Sequence, residues 1–174
     1  MVLSVRELTV QFTTRRGTLT AVDRLSFEVA PGEVLGVVGE SGAGKSITGL
    51  AVIGLLDPPG RIAGGEVRLE GRRIDNLPHE ELRRIRGRRI GMVFQDPLTS
   101  LNPLYTIGRQ LEETISTHLA LSQKECRQRA LDLLKEVGIP AAEERYHHYP
   151  HQFSGGMRQR VVVALAIAAE PVLL

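Results

Sequence analysis

The sequence has a single cysteine, no tryptophan, few aromatic residues and no long apolar run. One cysteine, Cys126, cannot form an internal disulfide, which fits a reducing compartment. The longest apolar run, Val161 to Ala169, is about half of the roughly 20 residues that a membrane-spanning helix needs, and no apolar leader follows Met1. These shortages predict a cytoplasmic chain whose contact with a membrane goes through a partner.

The sequence also lacks a strong excess of either charge. Its 22 Lys and Arg residues face 20 Asp and Glu residues, which leaves a net charge of +2. A run of arginines lies between residues 83 and 89, but such runs usually form a solvated surface. A groove for single-stranded nucleic acid would also need stacking aromatic rings, and none lies between Phe27 and Phe94. We therefore expect no nucleic-acid partner.

The first part of the chain has the patterns of strands. Alternating apolar and polar residues predict strands at Leu8–Phe12 and Leu25–Val29. Gly17 lies between them in a polar stretch, so an antiparallel pair is expected. The nearly all-apolar segment 33–39 is typical of a parallel strand that is buried on both faces.

The rest of the chain alternates between predicted helices and strands. Strands are expected at Gly65–Gly71 and Arg89–Gln95, and apolar Val172–Leu174 has the pattern of a core strand that begins. Helices are expected at Lys45–Leu56, over most of the stretch Pro103–Pro150, and at Gly155–Ala169.

One of these helices has clear start and stop signals. Ser122 and Glu125 form a capping box before it, and Gly138 with Pro140 ends it. Its apolar face consists of Ala130, Leu133, Leu134 and Val137.

A glycine-rich segment lies between the apolar segment 33–39 and the helix that follows. Gly39-Glu-Ser-Gly-Ala-Gly-Lys45-Ser46 matches G-x-x-x-x-G-K-[ST]. Its glycines let backbone N–H groups surround anionic oxygens, and the helix N-terminus adds partial positive charge. Lys45 is expected to reach the β- and γ-phosphates of a nucleotide, and the Ser46 hydroxyl to ligate Mg²⁺. A plain strand–turn–helix corner would explain the glycines but not the Lys-Ser pair.

A second glycine-led helix start follows Phe153. Ser154 is a natural N-cap, and the simplest interpretation is that Gly155 and Gly156 merely turn the chain. Two glycines in a first turn lower helix propensity, however, and they leave bare amides that could bind an anion. A nucleotide cradle and a separate anion site in one chain suggest a composite site shared between two copies.

Three motifs in this order resemble the ATP-binding subunits of ABC transporters, and within them the dipeptide, oligopeptide and nickel importer ATPases. The motifs are GESGAGKS (Walker A), FQDPLTSLNP around Gln95 (Q-loop) and YPHQFSGGMRQR (signature), and the resemblance covers the whole chain. It implies an α/β P-loop NTPase fold of ABC type, with an N-terminal antiparallel β subdomain, an inserted helical subdomain, and the last core strands missing. The expected parts are 1–102 for the nucleotide-binding core, 103–153 for the helical subdomain, and 154–174 for the signature helix and the start of the Walker B strand.

The resemblance also implies a role for each matched residue, with ATP and Mg²⁺ as cofactors. Phe12 would stack on adenine, Lys45 and Gln95 would act in catalysis, and Ser46 and Gln95 would contact Mg²⁺. Met157 and Ile47 depart from the common glutamine and threonine of the family. The residues that would hold ATP in the same copy are Gly39, Ser41, Gly42, Ala43, Gly44, Lys45, Ser46 and Ile47; those that would contact the γ-phosphate held by the other protomer are Ser154, Gly155 and Gly156.

The function implied is to power an importer of peptides or nickel by binding and hydrolysing ATP at a dimer interface. The implied partners are membrane-spanning permease subunits, a second ATP-binding subunit and, indirectly, an extracytoplasmic solute-binding protein. The chain would lie peripherally on the cytoplasmic face of the cell membrane. A non-transport ABC ATPase is an alternative, but the segment between Gln95 and Ser154 is too short for the coiled coils usual in that class and lacks sustained heptads.

The last residues favour a further alternative, a nucleotide-binding remnant without turnover. In the family, an apolar strand after the signature helix ends in an Asp that holds Mg²⁺ through water and a Glu that polarises the attacking water. The chain stops at Leu174, before either acid. We therefore expect a C-terminally truncated fragment that binds ATP and is deficient in hydrolysis on its own.

Overall fold

The computed structural model describes residues 1–96 and 100–174, which form two compact units, Met1–Arg83 and Arg84–Leu174. The residues Pro97, Leu98 and Thr99 of the expected Q-loop motif lie outside the described residues. Within the described ranges, no helix has both the length and the apolar character needed to span a bilayer.

The first unit is built on an antiparallel sheet. Its described strands are β1 (Leu3–Thr14), β2 (Gly17–Val29), β3 (Gly60–Leu69) and β4 (Arg72–Arg73), in the order β2-β1-β3-β4. β1 pairs with both β2 and β3, because a central strand offers backbone donors and acceptors along both of its edges. The predicted antiparallel pair is confirmed, and both predicted strands are longer than their patterns indicated.

Apolar residues of these strands form the core of the first unit. Val5, Leu8 and Val10 of β1 and Val67 of β3 are fully buried. Charged residues of the same strands, such as Arg6 and Glu7 of β1, are exposed, as expected for a sheet with a solvated face.

Helix α1 (Lys45–Val52) packs on this sheet and ends earlier than predicted. Gly54 adopts a positive φ of 67°, and the Leu55 N–H donates to the Leu50 carbonyl at 2.8 Å. This is a glycine-based helix stop, which the sequence pattern to Leu56 did not reveal.

The prediction of a buried strand at 33–39 is wrong for this structure. Among residues 1–96 and 100–174, no strand pairs with it, and Val34 and Val38 are 95% and 93% exposed. A parallel strand needs backbone partners along its edges, and the described residues offer none to this segment. Apolar composition alone therefore did not produce a strand.

The second unit is mainly helical. Its described helices, after α2 (His79–Ile85), which spans the boundary of the units, are α3 (Ile107–His118), α4 (Gln123–Glu136), α5 (Ala142–Arg145), a 3₁₀ turn at Pro150–Gln152 and α6 (Gly155–Ile167). Residues from α3, α4 and α6 form one core, with Ile107, Leu111, Ile115, Leu133, Leu134 and Val161 fully buried. The expected helical stretch and signature helix are confirmed.

The predicted helix signals of α4 are also confirmed. The Ser122 hydroxyl accepts from the Glu125 N–H, and the Glu125 carboxylate accepts from the Ser122 N–H. Gly138 has a φ of 73° just after the helix. The predicted apolar face of α4 is buried at Ala130, Leu133 and Leu134, and Val137 packs partly buried against the same core.

The predicted strand Arg89–Gln95 is wrong, because only Ile90 takes part in isolated bridges. Ile90 pairs in parallel with Leu173, the Gly91 N–H donates to the Leu173 carbonyl at 2.9 Å, and the Val172 N–H donates to the Arg89 carbonyl at 3.0 Å. The expected strand character at the last residues is thus present as a short parallel contact.

Candidate nucleotide-binding site

The segment Gly39–Ser46, called here the phosphate loop, wraps into the start of α1. Gly42 and Gly44 have φ values of 82° and 81°, in the left-handed region that favours glycine. At Gly44 a Cβ atom would lie 2.7 Å from the carbonyl oxygen of Ala21 and 3.2 Å from Val22 Cγ2. The loop therefore rests closely on the backbone of β2, and only glycine fits at this contact.

The Lys45 side chain folds back over the phosphate loop. Its Nζ donates to the carbonyl oxygens of Gly39 at 2.7 Å and of Glu40 at 2.6 Å. An ammonium group has three donors, so one remains for an incoming anion. The phosphate loop thus holds the positive charge of Lys45 at its open side, where a phosphate group would bind.

The N-terminus of α1 is open to an anion. Within the described residues, no side chain caps it, and its first turn contains no acid. The Thr48 N–H and hydroxyl both donate to the Gly44 carbonyl, at 2.8 and 3.0 Å, which anchors the turn from inside. The first-turn amides and the positive end of the helix dipole are therefore left for a ligand.

The remaining loop residues lie on the solvent side. Ser41, Ala43 and Ser46 are exposed, and Ile47 is half-buried. The Ala43 N–H donates to the Glu40 carbonyl at 3.2 Å, which closes the turn. The Ser46 hydroxyl is thus accessible in the way that a Mg²⁺ ligand must be.

Phe12 lies near the end of β1, in the same unit. It pairs with Leu19 of β2 and Gly60 of β3 and is half-buried. Its ring edge occupies the place beside Gly60, where a Cβ atom would come within 2.6 Å of Phe12 Cε1. A base could stack only on the part of the ring that remains exposed, and this role stays a prediction.

Gln95 is exposed and lies in a bend of the second unit. The Ser100 hydroxyl donates to the Asp96 carbonyl at 2.9 Å, which brings the described residues on either side of 97–99 together. The bend presents the Gln95 amide to solvent. Its contact with Mg²⁺ and water stays a prediction.

Ser154, Gly155 and Gly156, called here the signature turn, start α6. The Ser154 hydroxyl accepts from the Met157 N–H at 3.3 Å, as predicted for an N-cap. A Cβ atom at Gly155 or Gly156 would have no described heavy atom within 4 Å, and both residues are exposed. The packing of the described residues therefore does not require glycine at either position.

The structure thus gathers the predicted residues into two groups. Gly39 to Ile47 form the phosphate loop and the first turn of α1 in the first unit, and Phe12 lies on β1 of the same unit. The signature turn and Gln95 belong to the second unit. Sequence reasoning missed the buried Thr48 hydroxyl, although its place four residues after Gly44 is the usual spacing for such a bond. It also missed Ala21, for which the sequence carries no signal.

The family model described as "ABC transporter" matches residues 22–174 of this chain. The chain is 49% identical over 172 residues to the dipeptide transport ATP-binding protein DppD of Haemophilus influenzae, which covers 99% of this chain and 52% of that protein. It is 46% identical over 173 residues to the oligopeptide transport ATP-binding protein OppD of Bacillus subtilis. That match covers 99% of this chain and 48% of that protein. The chain therefore spans about half the length of the curated relatives it matches.

Solved structures give the same result for the fold. A dimeric ATP-binding cassette in a post-hydrolysis state, bound to ADP and Pi, superposes with a TM-score of 0.83 at 33% identity over 97% of this chain and 70% of that chain. The cbiO1 protein of Clostridium perfringens, part of an ABC transporter complex, superposes with a TM-score of 0.76 at 27% identity over 98% and 62%. The expected α/β fold class of ABC type is confirmed.

Proposed function

Because the chain belongs to the ABC transporter family, we propose that it forms the ATP-binding part of a subunit that powers import of peptides, or of nickel, through a membrane. The phosphate loop carries this proposal: a glycine cradle leads into an uncapped helix, with the Lys45 ammonium fixed over it. The relatives at 46% to 49% identity are named as dipeptide and oligopeptide transport ATP-binding proteins, which favours peptides over nickel.

The phosphate loop fits ATP and Mg²⁺ by the chemistry of its donors. The first-turn amides of α1 and the third donor of Lys45 would bind phosphate oxygens, and the exposed Ser46 hydroxyl would ligate the metal. When bound, Mg²⁺ neutralises charge on the phosphates. Phe12 would hold the adenine, and Gln95 would orient the attacking water.

The signature turn would complete the site of a second copy. Its exposed glycines leave room for close approach of a phosphate, and the N-terminus of the 13-residue α6 supplies amides and a positive dipole end. A solved relative is described as dimeric with ADP and Pi bound. We propose that Ser154, Gly155 and Gly156 contact the γ-phosphate of ATP that the other protomer holds.

The helical part, residues 103–153, would dock on permease subunits, and residues 1–102 and 154–174 would form the nucleotide-binding remainder. An open cleft of about 470 Å³ beside α3 and α4, lined in part by Tyr105, Arg109 and Leu121, offers a surface for such contact. The subunit would lie on the cytoplasmic face of the membrane. Through the permease it would respond to an extracytoplasmic solute-binding protein.

Photolabelling with 8-azido-ATP, followed by mass spectrometry of the labelled peptide, tests where the nucleotide binds. We expect a label on or beside Phe12 that excess MgATP suppresses. A label confined to the second unit, or one that MgATP does not suppress, would contradict the proposal.

Phosphate release, measured on the same preparation, tests turnover. Labelling together with release supports the ATPase. Labelling without release would leave a nucleotide-binding chain that does not turn over ATP.

A further inference from the structure

The first turn of α3 is bonded to the chain that leads into the signature turn. The Ile107 N–H donates to the His148 carbonyl at 2.9 Å, and the Gly108 N–H donates to the Tyr146 carbonyl at 2.8 Å. First-turn amides have no partner within their own helix. Here the segment Tyr146–Phe153, called the pre-signature segment, supplies the acceptors.

Tyr146 adds a side-chain bond at the same place. It is 6% exposed, and its hydroxyl donates to the Glu112 carboxylate of α3. Burial, followed by the Glu112 contact, raises the pKa of Tyr146 above its ordinary value, so the phenol remains a donor in neutral solution. The Arg127 guanidinium lies 5.2 Å from the ring centroid.

Gly108 makes this contact possible. A Cβ atom on Gly108 would lie 2.5 Å from Cε2 and Cζ of the Tyr146 ring. Real Cβ atoms do not come this close to a ring, so any larger residue would push Tyr146 away from α3. The glycine therefore serves a close approach between α3 and the pre-signature segment.

The connection continues from Tyr146 to the signature turn. Phe153, which directly precedes Ser154, is 2% exposed and packs with the Arg145 guanidinium at 5.8 Å and edge to face with His148 at 6.4 Å. Its carbonyl accepts from Arg158 Nε at 3.0 Å. The residue before the N-cap is thus held on both sides by neighbours of Tyr146 and by α6.

We propose that Tyr146 and Gly108 are positioning residues for the signature turn. Their contact fixes the pre-signature segment to α3, and through Phe153 it orients the Ser154 cap and the two exposed glycines. The effect on nucleotide chemistry rests on the function proposed for the signature turn. The positioning itself is a property of this chain without nucleotide, and neither residue lies in a motif that the sequence revealed.

Hydrogen–deuterium exchange on the nucleotide-free chain tests the positioning directly. The variant Tyr146→Phe keeps the ring and removes only the bond to Glu112, so we expect exchange at Ile107, Gly108, Met157 and Arg158 to rise roughly three- to tenfold, the effect of one lost hydrogen bond. Exchange at the buried Leu133 and Leu134 of α4 reports any global loss of stability and is expected to stay unchanged. Glu113→Gln, at the exposed neighbour of Glu112, is the matched control.

Faster exchange at Ile107 and Gly108 with no change at Met157 and Arg158 would overturn the proposal, because the signature turn would then not depend on the contact. No change at any of the four amides would overturn it as well. Gly108→Ala is expected to give a larger effect at the same amides. If that variant does not fold, Tyr146→Phe still decides.

A second readout connects positioning to function. We expect Tyr146→Phe to weaken ATP-dependent association of two copies about three- to tenfold, with an unchanged dissociation constant for ATP at the phosphate loop. A purely destabilising change would weaken both. If the unmodified chain does not associate with ATP, the proposed role of the signature turn fails, while the exchange result still decides the positioning.

Discussion

At the scale of single residues, the phosphate loop depends on how closely Gly44 approaches β2. Its φ of 81° and the carbonyl of Ala21 each exclude a side chain. Gly42 has nearly the same φ, but a Cβ there would meet no described atom within 4 Å. The motif contains glycine at both positions, but the sequence does not show why each one is needed. At Gly44 the reason is a contact with a strand more than 20 positions earlier in the chain.

This difference predicts unequal effects of two similar substitutions. Gly44→Ala should lower the free energy of unfolding of the first unit by about 2–4 kcal/mol, because strain and overpacking combine. Gly42→Ala should cost about 1 kcal/mol, from the left-handed backbone alone. Urea denaturation of the two variants checks this, and equal losses would show that the contact with Ala21 does not constrain the loop.

Asp75 gives the first unit a dependence on pH. Its side chain is 5% exposed and accepts from Arg73 Nη2 and from the Val67 N–H, both at 2.8 Å. Burial raises the pKa of Asp75, but the hydrogen bonds from Arg73 and Val67 outweigh burial, so the folded-state pKa lies below the ordinary value. The carboxylate therefore stabilises the folded state above about pH 3.9, and this stabilisation is lost as pH falls through the lowered pKa.

We expect Asp75→Asn to make the free energy of unfolding depend less on pH in the acid range. Urea midpoints measured between about pH 2 and 6 should converge for Asp75→Asn and the unmodified chain at the acid end. The matched control is Asp23→Asn, since the Asp23 side chain is 66% exposed and its pairing with Arg24 contributes little. A difference that stays constant across this range would contradict the role of the Asp75 charge.

At the scale of elements, the capping signals of α4 were predicted well, the helix stop at Gly54 was missed, and two of the predicted strands did not form. The start and stop of α4 depend on Ser122, Glu125 and Gly138, which act within a few residues, and all were found from the sequence. The strands expected at 33–39 and 89–95 needed neighbours to pair with. Apolar composition shows that a segment can be buried, but the identity of its pairing partner is not contained in the segment.

The capping box makes Ser122 a measurable contributor to stability. Ser122→Ala leaves the Glu125 N–H without its acceptor and removes the hydroxyl that donates to the Glu125 carboxylate, while the Ser122 N–H still donates to it, so we expect a loss of about 1 kcal/mol. Ser116→Ala, at an exposed position inside α3, should be within about 0.5 kcal/mol of the unmodified chain. Thermal or urea unfolding compares the pair, and a similar loss in both would contradict the cap.

At the scale of the whole molecule, the motifs of the family indicated the candidate site from the sequence. The contacts that hold its parts in place were visible only in the fold. The phosphate loop and the signature turn were both assigned from short patterns, and the structure gives each a helix N-terminus. Tyr146 and Gly108 belong to no pattern, because their significance arises only where α3 meets the pre-signature segment. Contacts of this kind join residues that are far apart in sequence.

One substitution in the signature turn, Gly156→Ala, is expected to have different effects on stability and on the association of two copies. Gly156→Ala meets no described atom within 4 Å and replaces a glycine in a helix, so stability should stay equal or rise by up to about 1 kcal/mol. Association of two copies in the presence of ATP, followed by sedimentation velocity, should weaken at least about tenfold if a phosphate must approach this residue closely. Unchanged association would contradict a role of the turn between protomers.

Nucleotide binding by the phosphate loop is the central proposal, and titration calorimetry with MgATP tests it most directly. Lys45→Ala is the informative variant, and Lys124→Ala, at an exposed position of α4, is its matched control, with circular dichroism to verify that both fold. We expect the unmodified chain and Lys124→Ala to bind equally and Lys45→Ala to bind roughly ten- to hundredfold more weakly, as loss of a charge-assisted hydrogen bond implies. Equal affinity of Lys45→Ala and the unmodified chain, or no binding by either, would contradict the assignment of this loop.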